Sequence, residues 1–121
     1  MRVIQLSNNV IQFATLDWEL KVFDVIMETK FGTSYNSYLV KGTEKTALFD
    51  STKLPFWEEY EKELKEHVEL SKIDYLVISH TEPDHSGSIE KILELNPDIT
   101  IVGTKVALGF LKQIVNRDFK E

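Results

Sequence analysis

An α/β fold, a mixed sheet with helices on one face, is predicted by three patterns in the chain. The first fifty residues hold five short segments rich in Val, Ile, Leu and aromatic residues, broken by polar turns. The spacing then changes, and helical stripes alternate with short apolar runs as β-α-β-α. Two of the runs, Thr46-Ala47-Leu48-Phe49 and Ile73-Asp74-Tyr75-Leu76-Val77-Ile78, are apolar on both faces, which suits strands covered on both sides.

The elements follow in order. Val3–Leu6, Val10–Leu16, Lys21–Met27 and Ser34–Val40 read as strands. Lys41-Gly42-Thr43-Glu44-Lys45 reads as a hairpin loop into a strand at Thr46–Asp50. Pro55 suits the first turn of a helix, and Phe56 to Leu70 has helical spacing with Trp57, Tyr60, Leu64 and Val68 in one stripe. Six Glu between Glu58 and Glu69 form its solvated face, with Glu58–Lys62 and Glu61–Lys65 as i,i+4 pairs. Ile73–Ser79 reads as a buried strand. Ser88–Leu95 is a short helix with Ile89, Ile92 and Leu93 inward, stopped by Asn96-Pro97. Ile99–Gly103 is another strand. Thr104 caps a last helix in which Ala107, Phe110, Leu111 and Ile114 are predicted to share an inward face.

The chain has 121 residues, a size typical of one domain, and 42% of them are hydrophobic. It has no cysteine, which removes disulfides, thiolate zinc sites, iron–sulfur clusters and cysteine nucleophiles. A formal net charge of -6 argues against a general nucleic-acid binder. No apolar run reaches the roughly 18 residues of a membrane span. The start, Met1 to Asn9, turns polar too soon for a signal peptide, so a cytoplasmic protein is expected.

The segment that carries chemistry is Ser79-His80-Thr81-Glu82-Pro83-Asp84-His85-Ser86-Gly87, between a buried strand and a helix. Open α/β sheets place their ligands at the carboxyl ends of strands. Alternate residues of an extended stretch point the same way, so His80, Glu82 and Asp84 can converge. Pro83 limits the loop's freedom, and Gly87 permits a close backbone approach before the helix. Imidazole with carboxylate suits iron, manganese or zinc. Taken singly, Asp84, Ser86 or Ser88 reads better as a helix cap, and His80 as a satisfied strand-end histidine. Four donors packed as H-x-E-x-D-H favour metal binding.

His80 to Gly87 resembles the metal loop of flavodiiron proteins, a branch of the metallo-β-lactamase superfamily. Leu16-Asp17-Trp18, Phe23-Asp24, Gly32 to Val40 and Lys45 to Asp50 resemble that family's N-terminal strands, and the likeness runs from about Val10 to Asp118. Most hydrolases of the superfamily carry His where this chain has Glu82. The resemblance implies the N-terminal half of an αββα sandwich, a single partial diiron domain over residues 1–121 with no flavodoxin-like domain. It implies His80 and Glu82 as ligands of one iron and Asp84 as a ligand of the second. His85 matches a position that ligates the second iron in some members and turns away in others. The family's remaining ligands, a His, a bridging Asp and a final His, lie beyond the last residue here, as does the domain that carries FMN. His67 sits on the charged helix beside Trp57, Tyr60 and Leu64 and reads as a surface-boundary residue.

The parent activity implied is reduction of dioxygen to water or of nitric oxide to nitrous oxide, with electrons arriving from FMN or a rubredoxin donor. The ligands hold metal, so no catalytic residue is assigned, and the chain alone is expected to be inactive. The alternatives are a zinc-dependent hydrolase of the same superfamily, disfavoured by Glu82, and a non-catalytic remnant that folds as a dimer. The uncovered second sheet face leads to the expectation of a homodimer or of a complementary second-half polypeptide.

Overall fold

The computed structural model describes residues 1–17, 22–23, 27–28, 33–79, 81–82 and 86–121. β1 (Arg2–Ser7) and β2 (Val10–Asp17) form an antiparallel hairpin, and β2 pairs antiparallel with β5 (Thr33–Lys41). Between them, β3 (Val22–Phe23) and β4 (Met27–Glu28) pair with each other as a separate two-stranded ribbon. The single strand expected at Lys21–Met27 is thus two short ones; Lys21 and 24–26 lie outside the described residues.

β5 turns through Gly42 into β6 (Thr46–Phe49), again antiparallel. A side chain at Gly42 would meet the Lys45 carbonyl oxygen at 2.8 Å, so only glycine fits this turn. From β6 the sheet becomes parallel, through β7 (Tyr75–Val77) and β8 (Thr100–Val102). The strand order is β1-β2-β5-β6-β7-β8. Parallel neighbours need crossover connections. These are α1 (Trp57–Lys65) between β6 and β7, and α2 (Ile89–Leu95) between β7 and β8; α3 (Lys105–Ile114) follows β8.

One face of the sheet is the core face. Ile11 and Phe13 of β2, Leu39 of β5, Leu48 of β6, Leu76 of β7 and Ile101 of β8 are buried there against Tyr60 and Leu64 of α1, Ile89, Ile92 and Leu93 of α2, and Leu111 of α3. On the opposite face Tyr75 and Val102 are 37% and 41% exposed, while Tyr38, Val40, Ala47, Phe49 and Val77 are half-buried. A mixed sheet with helices packed on one face is the fold expected from the sequence.

The helices differ in detail. α1 ends at Lys65, five residues short of the expected Leu70, because the chain reverses and a 3-10 turn at Leu70–Lys72 delivers Leu70 and Ile73 to the core. Of its stripe, Trp57, Tyr60 and Leu64 are buried; Val68 lies beyond the helix, partly buried against the core. The Glu61–Lys65 pair forms at 3.7 Å. His67 is half-buried with its ring 5.8 Å from that of Phe13. In α3, Thr104 caps as expected, its Oγ1 accepting from the Ala107 amide at 3.1 Å. Its inward face is narrower than expected: Ala107 and Leu111 are buried with Val115 beyond, whereas Phe110 and Ile114 are 54% and 53% exposed.

Candidate metal centre

Three parallel strands place their carboxyl ends at one edge of the sheet, so the loops after β6, β7 and β8 gather there. The loop after β7 carries the four predicted donors. Glu82 is exposed at that loop; His80, Asp84 and His85 lie outside the described residues. Among the described residues no three His, Asp or Glu side chains cluster as a metal site.

The frame of the loop is described, and buried side chains hold it. Asp50, at the end of β6, is the one non-glycine with positive φ among the described residues, at 61°. Its amide donates to the Val77 carbonyl at 2.8 Å, and its Oδ1 accepts from the Ser79 amide at 2.8 Å. The Asp50 carboxylate thus meets the backbone of the residue before His80. At the other end, the Ser86 hydroxyl shares its one hydrogen between the carbonyls of Thr81 at 2.7 Å and Glu82 at 2.9 Å, and the Ser86 amide donates to the Glu82 carbonyl at 2.9 Å. These bonds close the loop on itself. The Ser88 hydroxyl then ties the start of α2 to the Thr52 carbonyl at 2.9 Å. Ser86 and Ser88 were weighed from sequence as side-chain caps, yet Ser88, at the N-cap position, makes no side-chain cap bond. The Ser86 hydroxyl fastens the loop's own backbone, and the Ser88 hydroxyl fastens the start of α2 to the segment after β6.

The sequence places Tyr60 only in a core stripe and Asp50 only at a strand end, and it gives Ser37, Ser51 and Thr52 no role at the site. Ser37 Oγ donates to the Asp50 carbonyl at 3.1 Å and lies 2.7 Å from the Tyr60 hydroxyl. Burial pushes the Tyr60 phenol above its ordinary value; the nearby Asp50 charge adds to the rise and the Ser37 bond opposes it. A buried Ser opposite a buried Tyr is visible only once β5 and α1 are known to pack. The polar ending of Leu48-Phe49-Asp50 was the one available hint.

The four predicted donors, two imidazoles and two carboxylates within six positions, are of types that suit iron, manganese or zinc. Hard oxygen donors also support coordination numbers above the four usual for zinc.

Residues 33–120 match the model of the ODP family beta lactamase, and the chain belongs to that family, within the flavodiiron branch of the metallo-β-lactamase superfamily. It is 38% identical over 118 residues to the flavo-diiron protein FprA2 of Clostridium acetobutylicum, covering 98% of this chain and 29% of that protein. It is 37% identical over 110 residues to a nitric oxide reductase of Moorella thermoacetica, covering 90% and 27%. Among solved structures, rubredoxin oxygen:oxidoreductase of Desulfovibrio gigas superposes with a TM-score of 0.87 at 28% identity, over 98% of this chain and 29% of that one. A flavo di-iron protein mutant of Thermotoga maritima gives a TM-score of 0.92 over 99% of this chain and 31% of that one; at 24% identity it speaks to the fold. The chain therefore spans less than a third of the length of these relatives. No helix among the described residues is long and apolar enough to cross a membrane.

Proposed function

We propose that residues 1–121 are part of the diiron domain of a flavodiiron oxygen or nitric oxide reductase, with His80, Glu82, Asp84 and His85 as iron ligands. The observation that carries this reading is the position of H-x-E-x-D-H: it leaves the carboxyl end of β7 on a loop fastened by Asp50 and Ser86. Iron, when bound, supplies the centre at which the gas is reduced, and FMN, on another domain or a partner such as a flavodoxin-like protein, supplies electrons. The residues here hold and orient: Asp50 and Ser86 fix the loop, and the four donors bind metal.

The 121-residue chain on its own is expected to hold iron or zinc weakly, below one ion per chain, because one loop supplies only part of a dinuclear set. Elemental analysis after gentle desalting, with His80→Ala and Glu82→Ala as controls, tests this. Two firmly held ions per chain would overturn the partial-site reading, and equal metal content in both variants would overturn the ligand assignment.

The half-exposed apolar face around Tyr75 and Val102 supports the pairing of this chain with a second copy or with a complementary second-half polypeptide. Light scattering over a dilution series should show a dimer for the isolated chain. A monomer at every concentration, with no binding of an apolar dye, would show that the chain needs no partner on that face.

A further inference from the structure

We propose that Tyr60 and Ser37 are positioning residues for the donor loop, acting through Asp50. The consequence for metal rests on the function proposed above; the geometry does not. Ser37, on the core face of β5, is 1% exposed, and Tyr60, on α1, is fully buried. The serine has one hydroxyl hydrogen, and that hydrogen goes to the Asp50 carbonyl. The 2.7 Å contact between the two hydroxyls can run in either direction; with the serine hydrogen on the Asp50 carbonyl, Tyr60 is its donor. The result is a directed chain, Tyr60 to Ser37 to the Asp50 carbonyl, in a dry interior where such bonds reinforce each other. Burial keeps the phenol protonated, so the first donor is always present.

Asp50 needs this support. Positive φ disfavours any residue with a side chain, and even Asp adopts it only where the surroundings enforce it. Here the amide of Asp50 is fixed by Val77 and its carbonyl by Ser37. With both sides of the residue tied to neighbouring strands, the carboxylate is aimed at the Ser79 amide. Ser79 immediately precedes His80. The amide before it, Ile78, donates instead to Val102 of β8 at 2.8 Å. Two adjacent amides thus report on different things: Ser79 on Asp50, Ile78 on the sheet.

The competing role for Tyr60 is packing alone, since its ring lies 6.0 Å from those of Phe13 and Trp57. Amide hydrogen exchange followed by NMR on the 121-residue chain separates the two. In Ser37→Ala and Tyr60→Phe, the Ser79 amide should exchange about five- to ten-fold faster, with Ile78 changed less than about two-fold. Asp50→Ala sets the full loss, and Ser37→Thr, which keeps the hydroxyl, should restore protection. Parallel acceleration of Ser79 and Ile78 would mean that both residues merely stabilise the fold. No acceleration of either would mean that the relay does not hold Asp50; both outcomes overturn the proposal. Titration with Zn2+ alone should show roughly ten-fold weaker binding in Ser37→Ala than in the parent chain. If the parent chain binds no Zn2+, the metal reading fails while the exchange result still decides the positioning role.

Discussion

Leu76→Ala should lower the free energy of unfolding by about 2–5 kcal/mol, the cost of deleting a fully buried leucine together with the cavity it leaves. Leu76 is the middle residue of β7, paired with Leu48 on one side and Ile101 on the other, and all three are buried in the core under the helices. With strands on two sides and helices above, the site has little room to collapse onto the gap. Small domains have only about 5–15 kcal/mol in total, so the loss is a large share. Urea denaturation should show a lower midpoint with an unchanged slope. A change below about 1 kcal/mol would mean that the face of β7 packed by the helices is wrongly assigned.

Asn96→Ala should cost about 1–3 kcal/mol, although the residue adds almost nothing to the apolar core. Its Nδ2 donates to the carbonyls of Leu70 and Ile73, both at 2.8 Å, and the side chain is in a residue only 4% exposed. One amide group therefore joins the end of α2 to the 3-10 turn that leads into β7. Its removal takes the side-chain donor from the Ile73 carbonyl and leaves the Leu70 carbonyl only the 3.3 Å bond from the Ile73 amide; a buried acceptor left unpaired costs roughly 1–3 kcal/mol. Asn96→Asp should be worse than alanine, because a carboxylate would face the same two carbonyls. Thermal unfolding of the three proteins checks the order. A variant of either kind as stable as the parent would show that water reaches these carbonyls.

These two residues also mark what could be read from the sequence. Leu76 sits in a run apolar on both faces, and such runs announce a buried strand locally. The same holds for the Thr104 cap and the Trp57, Tyr60 and Leu64 stripe, which depend on residues three or four positions apart. Asn96 was legible only as a helix stop, since its partners at Leu70 and Ile73 are more than twenty positions away. The face of α3 was misread because two stripes run along it, Ala107–Leu111–Val115 and Val106–Phe110–Ile114, and both are apolar. Only the packing of the helix on the sheet selects the first. At the candidate site the four proposed donors are named from the sequence alone, because they fall within six positions. The groups that fasten their loop were not legible there, because Asp50 meets Ser79 through the parallel pairing of β6 with β7.

The two outer strands of the sheet bear on how copies of the chain can associate. An unpaired strand rim normally invites another chain to add on and extend the sheet. On one rim, β1 is mostly polar on its open side and carries an irregularity between Gln5 and Ser7 that breaks its regular ladder. On the other rim, β8 is already engaged, since the Ile101 amide donates to the Lys120 carbonyl at 2.7 Å and Lys120 bridges Thr100. Strand addition, the usual route from β proteins to open-ended polymers, is thus obstructed on both sides. In the pairing proposed above, contact between copies would use the broad face that holds Tyr75 and Val102, where a two-fold arrangement closes on itself instead of growing into a fibre.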